Sequence, residues 1–244
     1  MEEARSFTLS FVKKEKVAED AYSFYFDRSN IDLDFIAGQY IRMTLDIQNP
    51  DERGSSHYFT ISSSPLNKEY LVVTTRIIQS TFKKTLFNLL PGQEVKFFGP
   101  MGEFILNQNS KREYVFLAGG IGITPFYSII TYVHQAKINT PITLFVSFTR
   151  IEDCIFYEEL INISKENPLI KVIYTITHPE GSKISWNGET GRISEDLIKK
   201  YIPNVQSSIF YIAGPPKMVE SMIKIVQAMG VSEENILKEN FTGY

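Results

Sequence analysis

Residues 116–130, FLAGGIGITPFYSII, place three glycines between an apolar run and a segment with helical spacing. Glycines let the backbone turn tightly and approach a ligand without interference from a Cβ atom. Thr124 is a good N-cap residue and Pro125 is favoured at the first helical position, so the sequence predicts a helix start here. The positive end of such a helix suits a phosphate group. The spacing is not G-x-G-x-x-G, so the loop alone predicts either a phosphate site or a structural turn.

A second loop of the same kind lies near the C-terminus. Residues 210–218, FYIAGPPKM, again run from an apolar strand through Gly214 into a Pro-Pro helix start. Apolar strands alternating with helical segments indicate a parallel, doubly wound sheet. Ligands of such sheets bind at the carboxyl ends of the strands, so both loops are expected to face one crevice. Two such loops together favour a dinucleotide site.

The first half of the chain has a different pattern. Short runs rich in Val, Ile, Phe, Tyr and Thr recur between turn residues, for example AYSFYFDRS (21–29) and EYLVVTTRII (69–78). Many short strands within about 100 residues indicate an antiparallel barrel or sandwich. Only STFKKTLFNLL (80–90) has helical character. We therefore expect two domains, a β-barrel over residues 1–108 and an α/β domain over residues 109–244.

Composition excludes several classes of protein. The 244 residues carry 25 basic and 28 acidic side chains, a net charge of −3, which argues against a nucleic-acid-binding protein. No apolar stretch approaches the length of about 20 residues needed to span a bilayer. One cysteine, Cys154, excludes intramolecular disulfides and cysteine-ligated iron–sulfur clusters, and the three histidines show no metal-ligand spacing. With acids at the N-terminus instead of a signal peptide, a cytoplasmic location is expected.

Taken together, the motifs resemble those of the ferredoxin–NADP⁺ reductase superfamily. FIAGQYIRM (35–43) and HYFTISSSP (57–65) are similar to its flavin-barrel motifs, while GGIGITP (119–125), AGPPKM (213–218) and ENFTGY (239–244) resemble its nicotinamide-side signatures. The resemblance implies an FAD-binding barrel followed by an NAD(P)-binding domain. Hydride would pass from NAD(P)H to the flavin, and electrons would then reach a separate protein or small-molecule acceptor, since no iron–sulfur domain is fused to the chain.

On the flavin side, the resemblance implies that Thr60 lies near the reactive flavin nitrogen N5 and that Phe59 packs on the ring or the ribityl chain. At position 57 the family usually has arginine, which counters the flavin phosphates with a permanent charge. His57 supplies only a partial charge, so Arg76 or Arg53 is expected to share that role. TTRIIQSTFKKTL (74–86) falls where the family binds the flavin pyrophosphate through amides at a helix start, and Lys83 stands about where a serine is common. The full set of flavin-side candidates is His57, Tyr58, Phe59, Thr60, Ile61, Ser62, Thr74, Arg76, Thr81, Phe82 and Lys83.

On the nicotinamide side, Gly120, Gly122 and Thr124 are implied to form the pyrophosphate loop. Gly214, Pro215 and Met218 would border the nicotinamide pocket. Glu239, Phe241 and Tyr244 resemble the acidic and aromatic residues near the flavin, with Tyr244 as a displaceable lid, and Thr60, Glu239 and Tyr244 are the predicted catalytic residues.

Cofactor preference is expected to lean to NADH. Relatives that use NADPH carry a Ser-Arg pair after the strand that matches residues 172–177, where this chain has Thr177, His178 and Pro179. Arg150 and Lys183 are the basic candidates for the ribose. Two alternative readings stay open, a reductase that binds free flavin as a substrate and an electron-transfer subunit of a larger redox complex.

Overall fold

The computed structural model of the chain describes residues 3–107, 110 and 112–242. Two sheets organise this part of the chain. The first half forms β1 (Arg5–Lys16), β2 (Ala21–Asp27), β3 (Tyr40–Thr44), β4 (Ser56–Thr60), β5 (Tyr70–Arg76), the short helix α1 (Thr81–Phe87) and β6 (Glu94–Met101). These strands pair antiparallel in the order β4-β3-β6-β1-β2-β5.

The two edge strands of this sheet meet. Ile61, just beyond β4, forms an antiparallel bridge with Val73 of β5, and the Ser62 N–H donates to the Val72 carbonyl at 2.8 Å. The sheet therefore curls around an aromatic and aliphatic core that includes Phe24, Phe26, Ile41, Ile61 and Phe82. Closing the edges removes unpaired backbone groups, and the predicted antiparallel barrel is confirmed.

The second sheet is parallel. Its strands are β7 (Tyr114–Gly119), β8 (Ile142–Phe148), β9 (Ile170–Ile176), β10 (Glu189–Thr190), β11 (Ile209–Gly214) and β12 (Ile236–Asn240), and its helices are α2 (Thr124–Gln135), α3 (Tyr157–Glu166), α4 (Glu195–Tyr201) and α5 (Pro216–Ala228). The order β10-β9-β8-β7-β11-β12 reverses direction at β7. This is the topological switch point at which ligands of doubly wound sheets bind.

Residues of β7 are buried throughout, as the continuous apolar run predicts for a strand covered on both faces. Phe116 packs in the core that contains α2, and Val115 and Leu117 pack in the core that contains α5. The predicted doubly wound domain is confirmed, while the division at residues 108 and 109 stays a prediction.

Helix α2 begins one residue earlier than the sequence predicts. A single 3₁₀ turn over Gly120–Ile123 runs directly into the helix, so Thr124 is the first helical residue and Ile123 occupies the N-cap position. The Thr124 hydroxyl donates to the Ile121 carbonyl at 3.1 Å. The prediction that Thr124 caps the helix was therefore wrong, because the helical backbone is already established in the glycine loop.

Contacts between the barrel and the second domain are both polar and apolar. The Ser128 hydroxyl of α2 donates to the Ser63 carbonyl at 2.8 Å. Phe104, in the connection between the sheets, packs edge-on against Tyr211 at 5.0 Å between ring centroids. Of the helices in the described part of the chain, none is long and apolar enough to cross a membrane.

Candidate active site

A cleft of about 480 Å³ lies between the barrel and the last strand of the second sheet. That volume falls in the range of about 300–1,000 Å³ typical of small-molecule sites. One wall is built by β4 and the segment around the start of α1, and the opposite wall by the chain at the end of β12. The described residues that line it are Tyr40, Arg53, Ser56, His57, Tyr58, Phe59, Thr60, Ile78, Ser80, Lys83, Glu239, Asn240, Phe241 and Thr242.

Strand β4 presents aromatic rings and a hydroxyl to this cleft. Antiparallel pairing with β3 sets Tyr40 opposite Thr60. Tyr58 is 60% exposed, and its ring meets the Tyr40 ring edge-on at 5.8 Å between centroids. Phe59 and Thr60 are buried. The wall thus suits a flat aromatic ligand with a polar edge.

His57 carries a shielded nitrogen without a partner. Its ring packs edge-on against Phe82 at 4.4 Å between centroids, and Nε2 is buried with no hydrogen-bond partner among the described residues. Burial, followed by the charge of Lys83, lowers the pKa of His57, with Asp51 acting in the opposite direction. A neutral imidazole therefore offers one free ring nitrogen to a ligand in the cleft.

Lys83 is buried inside the same wall. Ser80 caps α1 by accepting the Lys83 N–H at 3.0 Å, and the Lys83 side chain is buried whereas Lys84 is exposed. The ammonium group donates to Thr75 Oγ1 and lies 4.7 Å from the centroid of the Phe59 ring. Burial, with a further contribution from Arg53, lowers the pKa of Lys83 to about 7. The lysine is therefore poised to take up a proton when an anion enters.

The carboxylate of Asp51 accepts a hydrogen bond from a backbone N–H at the start of α1. The Thr81 N–H donates to Asp51 Oδ2 and the Asp51 N–H donates to Thr81 Oγ1, each at 2.9 Å. Arg53 fixes the same loop by donating to the Gln79 carbonyl at 2.8 Å. The resemblance to the superfamily implies that the flavin pyrophosphate binds at these helix-start amides. A phosphate that binds Thr81 must first displace the Asp51 carboxylate.

Six of the predicted flavin residues lie outside the cleft lining: Ile61, Ser62, Thr74, Arg76, Thr81 and Phe82. Thr74 Oγ1 is 2.7 Å from Ser23 Oγ and 2.9 Å from Ser62 Oγ, in a buried network of hydroxyls between strands. Ile61 is fully buried in the barrel core. Phe82 does not line the cleft either and packs behind His57. The hydroxyl-rich segment that follows β4 is therefore linked to the other barrel strands by side-chain hydrogen bonds.

The two glycine loops of the second domain pack against each other. A Cβ atom on Gly122 would lie 2.4 Å from the Ala213 carbonyl oxygen, and one on Gly119 would lie 3.1 Å from the Met218 sulfur. Gly120 has a φ of +53°, in the left-handed region that favours glycine. The loop after β7 and the loop after β11, with Pro215 at its helix start, therefore form one continuous surface at the carboxyl edge of the sheet.

The chain after β12 joins that surface to the cleft. The Phe241 N–H donates to the Gly214 carbonyl at 2.9 Å. Glu239, opposite Ala213 in the strand register, is partly buried, and its Oε2 is shielded with no partner in the described part of the chain. Burial raises the pKa of Glu239 to about 7. A carboxyl group that titrates near neutral pH in a cleft is suited to proton transfer or hydrogen-bond donation.

Two other predicted basic residues, Arg76 and Arg150, lie outside the cleft lining. Arg76 at the end of β5 pairs with Asp20 at 3.1 Å, and its Nη2 lies 3.8 Å from the position that a Cβ on Gly120 would take. Arg150, after β8, pairs with Asp153 at 2.9 Å. Tyr244, the predicted lid, lies outside the described residues.

Sequence reasoning missed several lining residues. Tyr40 has a usable signal, because it directly follows the Gly38-Gln39 pair in the motif FIAGQYIRM. The others reach the cleft through tertiary packing and carry no motif of their own: Ser56, Ile78, Ser80, Asn240 and Thr242.

Comparison with known families matches both halves of the chain. Residues 8–105 match the family described as oxidoreductase FAD-binding domain, and residues 116–224 match the oxidoreductase NAD-binding domain. The chain belongs to the ferredoxin–NADP⁺ reductase superfamily. FAD is accordingly the cofactor of the barrel, and a nicotinamide dinucleotide that of the second domain. The cleft fits the flavin, since it combines aromatic walls with two buried polar atoms, His57 Nε2 and Glu239 Oε2, that have no hydrogen-bond partner among the residues the structure describes.

The chain spans only part of the length of two curated relatives that it matches. The chain is 33% identical over 162 residues to one subunit of the Na⁺-translocating NADH-quinone reductase of Pseudomonas aeruginosa, covering 65% of this chain and 39% of that protein. It is 27% identical over 241 residues to NADH-cytochrome b5 reductase 1 of Coccidioides immitis, covering 94% and 77%. A ferredoxin NADP⁺ reductase structure from Neisseria gonorrhoeae superimposes with a TM-score of 0.79 at 19% identity, covering 98% and 99%.

Proposed function

We propose that this superfamily member is a flavin-dependent reductase that takes hydride from NADH and delivers electrons to a separate acceptor. The observation that carries the proposal is the continuity between the cleft and the glycine loops. A backbone hydrogen bond from the Phe241 N–H to the Gly214 carbonyl links the cleft wall that contains Glu239 to the carboxyl edge of the parallel sheet. A flavin in the cleft and a nicotinamide on that edge would therefore be neighbours, as hydride transfer requires.

The side chains divide into three proposed roles. When bound, FAD accepts a hydride and releases electrons one or two at a time. Tyr40, Tyr58 and Phe59 would orient the flavin ring, and His57 and Lys83 would meet its polar groups. Thr60 and Glu239 would donate hydrogen bonds at the reacting edge. Gly120, Thr124, Gly214, Pro215 and Met218 would hold the dinucleotide, with Arg76 beside the first loop.

The acceptor is proposed from chemistry and from relatives. Because Cys154 is the chain's one cysteine, this chain supplies no cysteine-ligated cluster, and its electrons must leave for another molecule. Two relatives are named for NADH, one with quinone and the other with cytochrome b5, which supports NADH as donor. The chain spans 39% of the length of the quinone reductase relative, so an electron-transfer role within a larger complex is retained as the second candidate.

Stopped-flow reduction of the flavin-loaded protein tests the proposal. NADH should bleach the flavin, and ferricyanide should support turnover by the isolated chain. If neither NADH nor NADPH bleaches the flavin, the reductase proposal fails. Bleaching without ferricyanide turnover would favour the role within a larger complex, and loss of all flavin on dialysis would favour a reductase that uses free flavin as substrate.

We also propose a cytoplasmic location. Its support is the single, buried cysteine, which is typical of proteins in reducing compartments. Recovery of the protein from a membrane or periplasmic fraction would contradict it.

A further inference from the structure

Two turns at the carboxyl edge of the parallel sheet are hydrogen-bonded to each other. After β8 and β9, the His178 N–H donates to the Thr149 carbonyl at 2.9 Å, and the Ile151 N–H donates to Ser182 Oγ at 3.1 Å. Arg150 and Lys183 lie on these adjoining turns. The adenosine end of a dinucleotide bound at this edge would pass them.

The Arg150 side chain is held by a carboxylate. Its Nη2 donates to Asp153 Oδ1 at 2.9 Å and its Nε donates to Asp153 Oδ2 at 3.3 Å, while the Arg150 backbone N–H also reaches Oδ2 at 3.2 Å. Asp153 is 5% exposed. Bidentate pairing of this kind fixes the guanidinium and neutralises its charge.

The second base forms a solvent-exposed ion pair with an acid of the other domain. Lys183 Nζ lies 3.4 Å from Glu19 Oε1, and Glu19 belongs to the turn between β1 and β2 of the barrel. The Lys183 N–H donates to the Glu152 carboxylate, and the Glu19 N–H donates to the Glu152 carbonyl at 2.9 Å. Three acids thus surround the two bases.

The two dinucleotides differ at this end of the molecule. NADPH carries a 2′-phosphate with a charge near −2, and dinucleotide sites that accept it use a nearby arginine. We propose, on the basis of the proposed function, that Asp153 is a positioning residue that sets the preference for NADH. It holds Arg150 in an ion pair, so the guanidinium group does not reach the 2′-phosphate.

Binding of redox-inert fragments tests this without hydride transfer. Calorimetry on the flavin-loaded protein compares 5′-AMP with 2′,5′-ADP for the wild type, Asp153→Asn, and Asp153→Asn combined with Arg150→Gln. We expect Asp153→Asn to tighten 2′,5′-ADP about tenfold relative to 5′-AMP, because one charge-assisted contact is gained. The double variant should lose that gain. Asp196→Asn, an exposed change on α4, is the matched control and should leave the ratio unchanged.

Further outcomes separate the inference from the proposed function. The inference is overturned if folded Asp153→Asn keeps the wild-type ratio, if the gain survives loss of Arg150, or if the wild type prefers 2′,5′-ADP. Should Asp153→Asn not fold, Glu19→Gln releases Lys183 instead and should tighten 2′,5′-ADP about threefold; an unchanged ratio there overturns the role of the acid cluster. If NADH reduces the flavin but Asp153→Asn does not change the ratio of the affinities for 2′,5′-ADP and 5′-AMP, this inference alone is rejected. If neither dinucleotide reduces the flavin, the proposed function is rejected.

Discussion

The ammonium nitrogen of Lys83 lies 4.7 Å from the centroid of the Phe59 ring, within the wall of the cleft. A lysine in this position faces an aromatic surface with little access to water. Burial lowers its pKa to about 7. The side chain of the flavin-free folded protein therefore loses its proton near pH 7, whereas in the unfolded chain it stays protonated up to a pH near 10.

Replacing Lys83 should remove a pH dependence of stability. Between pH 7 and about 10 the unfolded chain binds more protons at this group than the folded protein, so the free energy of unfolding rises with pH, by on the order of a few kcal/mol. In flavin-free Lys83→Met that rise should be absent, as measured by urea unfolding at pH 7, 8 and 9. Lys84→Met, an exposed neighbour, should keep the wild-type slope. Equal slopes for the wild type and Lys83→Met would contradict the assigned burial.

Glu239 should make the free energy of unfolding fall as pH rises, the opposite of the effect of Lys83, and over a lower pH range. Its folded pKa, about 7, lies above the usual value for glutamate, so the folded protein binds more protons between pH 4.5 and 7. The free energy of unfolding contributed by this group is therefore greatest at low pH and declines as pH rises toward 7. In Glu239→Gln the decline should be smaller than in the wild type, whereas Glu234→Gln, which is exposed, should leave it unchanged. A decline in Glu239→Gln as large as the wild type's would show that another group is responsible.

The fold was accessible from the sequence because its signals are local. Strand β7 is apolar at every position, which indicates burial on both faces, and the glycine and proline pairs mark where strands turn into helices. Thr60 and Glu239, which line the cleft, likewise lie in recognisable motifs. These features depend on neighbouring residues only.

The cleft was less accessible because its details depend on distant pairings. Tyr40 faces Thr60 through the register of β3 and β4, which no local pattern fixes. Asp51 reaches Thr81 across 30 positions of sequence, and its carboxylate occupies amides that were expected to hold phosphate. Lys83 and Lys84 are indistinguishable in sequence, and only the packing of a short helix decides which one is buried.

His57→Arg should affect the empty and the flavin-bound protein in opposite ways. A permanent charge beside Lys83 and against Phe82 should lower the melting temperature of the flavin-free protein. Flavin should bind about tenfold more tightly, because arginine offers charged donors to the flavin phosphates. Thermal unfolding and fluorescence titration with FAD measure the two effects. Unchanged or weaker flavin binding would show that another group already meets the phosphates.

The double variant His57→Arg with Lys83→Ser separates charge repulsion from crowding. Serine at position 83 removes the neighbouring cation, so the melting temperature should recover while flavin binding stays tighter than in the wild type. A melting temperature that stays low would assign the loss to steric conflict with Phe82.

Gly122→Ala should uncouple the nicotinamide site from the flavin site. The new Cβ would lie 2.4 Å from the Ala213 carbonyl oxygen, so the two glycine loops must separate, and the surface that binds the dinucleotide changes shape. We expect the Kd for NADH in stopped-flow reduction to rise at least tenfold, a loss of about 1.4 kcal/mol of binding free energy, with bound flavin retained in the barrel. Gly181→Ala adds the same methyl group where, apart from its chain neighbours, no atom of the described residues lies within 4 Å, and it should behave as the wild type. If Gly122→Ala is reduced by NADH with wild-type affinity, close packing of these loops is not what shapes the dinucleotide site. If it instead loses flavin, the loop contacts also support the cleft, because Phe241 reaches that cleft through its bond to Gly214.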